Sequence, residues 1–156
     1  MKYILLACLL LIPQKSELQI KYNRIEDRTT ISTKPESKGS LSFFLYVSHP
    51  GQKLTKPLDT VFFVIESYSR DGQFRETKDV YVLADDERFT LSNPTRNPDI
   101  DINSRSVRPS ERLMFALSKS QLKRIVNARK VEMKIGVRSV ALGTRGTYRA
   151  MVNVVE

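Results

Sequence analysis

Three groups of residues in this sequence have types and spacings that suit chemistry. Asp99, Asp101 and Asn103 place oxygen side chains at alternate positions in Asp99-Ile100-Asp101-Ile102-Asn103, as at the start of a calcium loop. An EF-hand loop also needs Gly at its sixth position and Glu at its twelfth. Ser104 and Ser110 stand there, so the EF-hand pattern fails. What is left to this loop is a weaker calcium site, or an enzyme site of unusual type. Asp85-Asp86-Glu87 gathers three carboxylates at what reads as a hairpin tip, where solvation is the ordinary state. Lys123, Arg124, Arg129 and Lys130 form a basic cluster suited to an anionic partner.

Other chemistry is poorly supplied. Nucleophilic triads usually take their base from a histidine. His49 is the only one, and it reads as a turn residue beside Pro50-Gly51. Cys8 is the only cysteine, so an ordinary zinc site lacks ligands. No carboxylate pair carries the pattern of a glycosidase. Phe43, Tyr46 and Phe74 are spread through strands rather than interleaved with arginines, so nucleic acid is not the expected partner. The expectation is a non-enzymatic domain without a cofactor.

The elements that would position these groups centre on Arg112 to Leu142. Leu113, Phe115 and Leu117 alternate with smaller or flexible residues, which predicts a strand. Ser118-Lys119-Ser120-Gln121 has the spacing of a capping box, and Leu117 with Leu122 that of a hydrophobic staple. Leu122, Ile125 and Val126 then share one helical face. This predicts a short helix over about 118–130. Alternation resumes at Val131, Met133 and Ile135, and Gly136 marks a bulge or bend.

The flanking sequence reads as β-structure. Leu18 to Ser32 gives two strand segments bent near Glu26-Asp27, and Ser40 to Ser48 gives a strong strand with a partly apolar second face. Thr60 to Tyr68 is nearly all apolar, which predicts a strand buried on both faces. Asp71-Gly72 is a hairpin signal. Asp79 to Ala84 and Arg88 to Leu91 read as a hairpin, with Val80 and Val82 on one side and Tyr81 and Leu83 on the other. Ser92 to Ser110, with three prolines, reads as a long loop. Tyr148 to Val155 is a last strand or a short helix. The predicted fold is a mainly β, antiparallel β-sandwich with one short α-helix and a possible C-terminal helix. Residues 17–156 form one domain, a length that suits a single core.

The net charge of +9 is unevenly spread. Glu17 to Ser104 holds 12 basic and 14 acidic residues, whereas Arg105 to Glu156 holds 12 basic and 3 acidic. If folding does not intermix them, the C-terminal third carries the positive field and favours an anionic surface. Met1-Lys2, then the apolar run Tyr3 to Ile12, then Pro13, has the layout of a secretory signal peptide over residues 1–16. The run is too short to span a bilayer. The expected location is extracytoplasmic, periplasmic or secreted. Leu5-Leu6-Ala7-Cys8 resembles a bacterial lipobox, but only four residues precede Leu5. Membrane association is therefore expected only if Cys8 is lipidated or the leader is kept. After removal of the leader the chain would be cysteine-free, and would rest on its hydrophobic core.

Two segments carry a resemblance. They are Tyr22-Asn23-Arg24-Ile25-Glu26-Asp27-Arg28-Thr29-Thr30-Ile31-Ser32-Thr33, and Phe115-Ala116-Leu117-Ser118 continuing to Arg124-Ile125-Val126-Asn127-Ala128-Arg129-Lys130-Val131-Glu132-Met133-Lys134-Ile135-Gly136. Ser67 to Phe74, between them, is similar too. Together they resemble a group of small exported bacterial β-rich proteins to which no activity is attached. The resemblance implies a shared fold and export, and it transfers no functional residues. The expected role is a binding or structural module, or a subunit of an envelope assembly, with an anionic surface or an envelope protein as partner.

Overall fold

Alternating apolar residues set eleven strands and two helices in the computed structural model, which describes residues 18–53, 58, 60–69, 73–74, 76–100, 109–143 and 148–155. The strands before the first helix are β1 (Leu18–Asn23), β2 (Arg28–Thr33), β3 (Glu36–Lys38), β4 (Leu41–Pro50), β5 (Val61–Ser67), β6 (Asp79–Ala84), β7 (Glu87–Ser92), β8 (Thr95–Ile100) and β9 (Pro109–Leu117). Then come α1 (Lys119–Asn127), β10 (Val131–Ile135), β11 (Arg138–Leu142) and α2 (Arg149–Val155). The signal peptide expected over 1–16, with Cys8, lies outside the described residues. Among the described residues, no helix is long and apolar enough to cross a membrane.

Two antiparallel sheets form. The larger has the order β1-β2-β4-β5-β9-β8, with β3 also paired to β4. The smaller has the order β11-β10-β6-β7. The architecture is therefore mainly β and sandwich-like, as expected. β2 and β3 meet consecutive parts of β4, and Lys34-Pro35 separates them because proline cannot donate to the ladder. α1 is the crossover that carries the chain from β9 in the larger sheet to β10 in the smaller.

The core lies between the inner faces of the sheets. Phe43, Leu45, Phe63, Ile65, Leu113 and Phe115 come from the larger sheet, and all are buried. Val80, Val82, Val131, Met133 and Ile135 meet them in the same cluster from the smaller one. Apolar burial of this kind contributes roughly 25 cal/mol per Å² removed from water, so these residues dominate stability. β5 is buried on both faces except at Phe62, and β4 and β9 pair with its two edges.

α1 has the predicted caps. Ser118 Oγ accepts from the Gln121 amide at 3.2 Å, and Gln121 Oε1 accepts from the Ser118 amide at 2.9 Å. Leu122, Ile125 and Val126 are its buried face. The helix itself spans Lys119–Asn127, shorter than 118–130, because Ala128 is extended (ψ 144°) and its N–H closes the last turn on the Arg124 carbonyl.

Several expectations change. The long loop from Ser92 to Ser110 is instead largely strand: β8 pairs with β9 from Thr95↔Met114 to Ile100↔Pro109, and only residues 101–108 fall outside the described residues. Pro98 is tolerated because β8 is an edge strand, where a missing N–H need not break a ladder. Asp71-Gly72 lies outside the described residues; β5 and β6, the strands before and after it, belong to different sheets and do not pair as a hairpin. Gly136 marks a two-residue turn rather than a bulge. Ile135 pairs with Arg138, and Gly136 at φ +57° takes the first turn position where a type II′ turn demands glycine. The undecided C-terminal stretch is helical, and Tyr148 and Met151 bury their side chains one turn apart. His49 is not a surface turn residue. It sits on β4, buried, and its Nδ1–H donates to the Pro50 carbonyl at 2.9 Å.

Candidate functional site

The smaller sheet buries one face and leaves the other open. Period-two alternation decides which side chains go out. Val80, Val82 and Ala84 of β6 point inward, so Tyr81 and Leu83 point outward. The register then names their neighbours. Tyr81 lies between Lys134 of β10 and Thr90 of β7, and Leu83 lies between Glu132 and Arg88. Ser139 and Ala141 of β11 complete the two rows beyond β10.

This face bounds an open cleft of about 770 Å³. Tyr81 is 57% exposed, and Arg88 and Lys134 are exposed, diagonally opposite each other across β6. Glu132 is half-buried and is ion-paired to Lys130 at 2.7 Å, which offsets its charge. The result is an aromatic face flanked by an arginine and a lysine, with an aliphatic floor at Leu83. Such a surface can stack on a flat or apolar group while two cations hold an anion beside it.

The basic cluster expected on α1 is brought against the acidic hairpin tip. Lys123, Arg124, Asn127 and Ala128 face Asp85, Asp86 and Glu87 across a second, smaller cleft of about 390 Å³. Arg124 pairs with Glu87 at 2.8 Å and lies 6.0 Å from the centre of the Phe89 ring. Lys130 is committed to Glu132. Arg129 has an exposed side chain, and its amide is bound to Asp85. Folding thus intermixes the positive C-terminal third with the acidic middle of the chain at this end of the sandwich.

Asp85 explains why. Its Oδ1 accepts from the amides of Arg129 and Lys130, both at 3.0 Å, and its own N–H donates to the Lys130 carbonyl at 2.9 Å. It occupies the first position of the two-residue β6–β7 turn, at φ 51°, a conformation that Asp tolerates better than most residues. The hairpin tip is therefore a clasp that receives the chain leaving α1. The Arg129 amide, then the Lys130 amide, hold the Asp85 carboxyl below the ordinary carboxylate range. A depressed folded-state pKa contributes stability above the unfolded value of about 3.9, which is lost as pH falls through the folded value. Asp85→Asn is accordingly expected to melt below the parent at pH 7, with the gap closing as pH falls through the lowered folded-state value. A gap that is constant with pH in thermal unfolding would refute the charged clasp.

Asp99 lies on β8, and Asp101 and Asn103 lie outside the described residues. Asp99 pairs in register with Ser110, so the start of the supposed calcium loop is strand backbone. Among the described residues, no three His, Cys, Asp or Glu side chains converge as a metal site.

Comparison with protein-family models, with curated proteins and with solved structures finds no match. The site is therefore read from its own chemistry.

Sequence reasoning missed the open face of the smaller sheet. The alternation of β6 already put Tyr81 and Leu83 opposite Val80 and Val82. It did not reveal which residues of β7 and β10 stand beside them, because register across strands is set by the whole sheet.

Proposed function

We propose that this chain is an exported, non-enzymatic binding module that holds an anionic polymer or surface on the outer face of its smaller sheet. One observation carries the reading: Tyr81 is exposed between Lys134 and Thr90, with Arg88 diagonally beside it, on an open cleft. The apolar leader at Tyr3–Ile12 and the resemblance to small exported bacterial proteins support the location. Arg88 and Lys134, both exposed on this face, support the sign of the ligand.

Heparin, as a soluble polyanion, is the probe. The protein is expected to bind it at low ionic strength and to release it as salt rises, because exposed charges are screened over about 8 Å at physiological salt. The double substitution Arg88→Ala with Lys134→Ala should weaken binding at least about tenfold, equivalent to about 1.4 kcal/mol. Tyr81→Ala should weaken it further with less effect on the salt dependence. No binding by the parent at low salt, or equal binding by the double variant, would overturn the assignment.

A further inference from the structure

We infer that the ligand of the smaller sheet is an acidic polysaccharide, laid across the strands with a sugar ring seated on Tyr81. The inference rests on the reading above and names the class of anion that the face is built for. The outward row through Tyr81 takes one residue from each strand: Ser139 of β11, Lys134 of β10, Tyr81 of β6 and Thr90 of β7. All four are exposed. Among the described residues, none of these side chains is engaged in a hydrogen bond or an ion pair, and the same holds for Arg88. Neighbouring strands lie about 4.8 Å apart, so the row extends about 14 Å between its outer Cα positions.

An acidic polysaccharide offers three kinds of group, and the row answers each. The C–H bonds on one face of a sugar ring are weakly positive, and the face of a tyrosine ring is negative, so the two attract as they exclude water. Sugar hydroxyls both donate and accept hydrogen bonds. The hydroxyls of Ser139 and Thr90, at the two ends of the row, do the same. The Lys134 ammonium beside Tyr81 suits a carboxylate or sulfate on the ring or its neighbour. Leu83, two residues along β6 and half-buried, extends the apolar seat.

Charge spacing favours this class over a denser polyanion. Lys134 and Arg88 are two strands and two residues apart, which sets their Cα positions about 12 Å from each other. Glu132 adds a carboxylate to the face, and Lys130 is taken up in pairing with it at 2.7 Å. The face thus carries few free cations, widely placed. A nucleic acid strand has a charge on every nucleotide, about 3.4 Å apart along the axis, and draws its affinity from many cations at once. Most of its phosphates would be unanswered here. A polysaccharide with an anion on alternate rings meets two cations with two charges and seats the ring between them on Tyr81.

Titration calorimetry of the full chain at low salt tests the class. The probes are a hyaluronan oligosaccharide, linear polyphosphate matched to it in total charge, and phosphatidylglycerol vesicles. Hyaluronan is expected to bind at least about tenfold more tightly than polyphosphate or the vesicles. Tyr81→Leu keeps an apolar residue but removes the ring, and should weaken hyaluronan at least about tenfold while leaving polyphosphate within about twofold. Tyr81→Phe keeps the ring and should hold hyaluronan within about threefold. Tyr81 is exposed, so both variants are expected to melt with the parent. The inference is overturned if polyphosphate or vesicles bind as tightly as hyaluronan, or if Tyr81→Leu leaves hyaluronan binding unchanged. In either case the wider anion-binding reading stands provided that Arg88→Ala with Lys134→Ala still weakens the bound probe. Absence of binding to all three probes overturns both.

Discussion

Phe63→Ala is expected to remove about 3–5 kcal/mol of stability, the usual cost of deleting a fully buried aromatic side chain. A domain of this size has only about 5–15 kcal/mol in all, so a large share would go. Phe63 has no exposed surface and lies in the middle of β5, between Leu45 of β4 and Phe115 of β9. Its ring is 6.4 Å from that of Phe43, and Tyr148 meets it edge-on at 6.2 Å. The side chain thus joins the larger sheet to the residue that leads into α2. Collapse of the surroundings into the void is hindered because ladders on both sides hold β5 in place. Urea unfolding should show a lower midpoint with an unchanged slope. Phe62→Ala, one residue earlier on the half-buried outer face, should cost distinctly less. Equal losses at the two positions would show that the inter-sheet core does not dominate.

Arg112→Ala is the second large effect, expected at about 2–4 kcal/mol. Glu66 and Arg112 are directly opposed on β5 and β9. Arg112 donates from Nε at 2.9 Å and from Nη2 at 2.6 Å to Glu66 Oε1, and Tyr68 donates its hydroxyl to Oε2 at 2.7 Å. The Glu66 side chain is 8% exposed and that of Arg112 is 30% exposed. Removing the arginine leaves a nearly buried carboxylate without its counter-charge, which costs more than the pair contributes when intact. The double variant Glu66→Leu with Arg112→Met should therefore recover most of the loss. If the double variant is as unstable as Arg112→Ala alone, the cost lies in packing or in other contacts of Arg112 rather than in the stranded charge.

These residues differ in how far they could be read beforehand. The strand at Thr60–Tyr68 was legible because an unbroken apolar run has few fates other than burial on both faces. The cap at Ser118 and Gln121 was legible because capping is local, with donor and acceptor three residues apart. The hairpin at Asp79–Leu91 was legible for the same reason. By contrast, β8 was hidden by Pro98 within it and Pro94 just before it, which read as loop until its position at a sheet edge is known. His49 read as a turn residue from Pro50-Gly51, yet β4 continues through it because β2 pairs with that end. The chemistry of the Glu66–Arg112 pair was equally hidden, since 46 residues separate its members.

The basic cluster shows the same division. Lys123, Arg124, Arg129 and Lys130 are near one another in the chain, and their helix and its polarity could be derived from spacing alone. Whether they form a free positive surface could not. Asp85, Asp86 and Glu87 come from a hairpin some forty residues earlier and are seated against α1 only because β6 pairs with β10. The open face around Tyr81 likewise depends on which strands become neighbours. The sequence by itself determined the periodicities, caps and turns, because those interactions act over a few residues. Only the tertiary structure decided the charge neighbours and the open face, because strand pairing brings distant segments together and cross-strand register is a property of the assembled sheets.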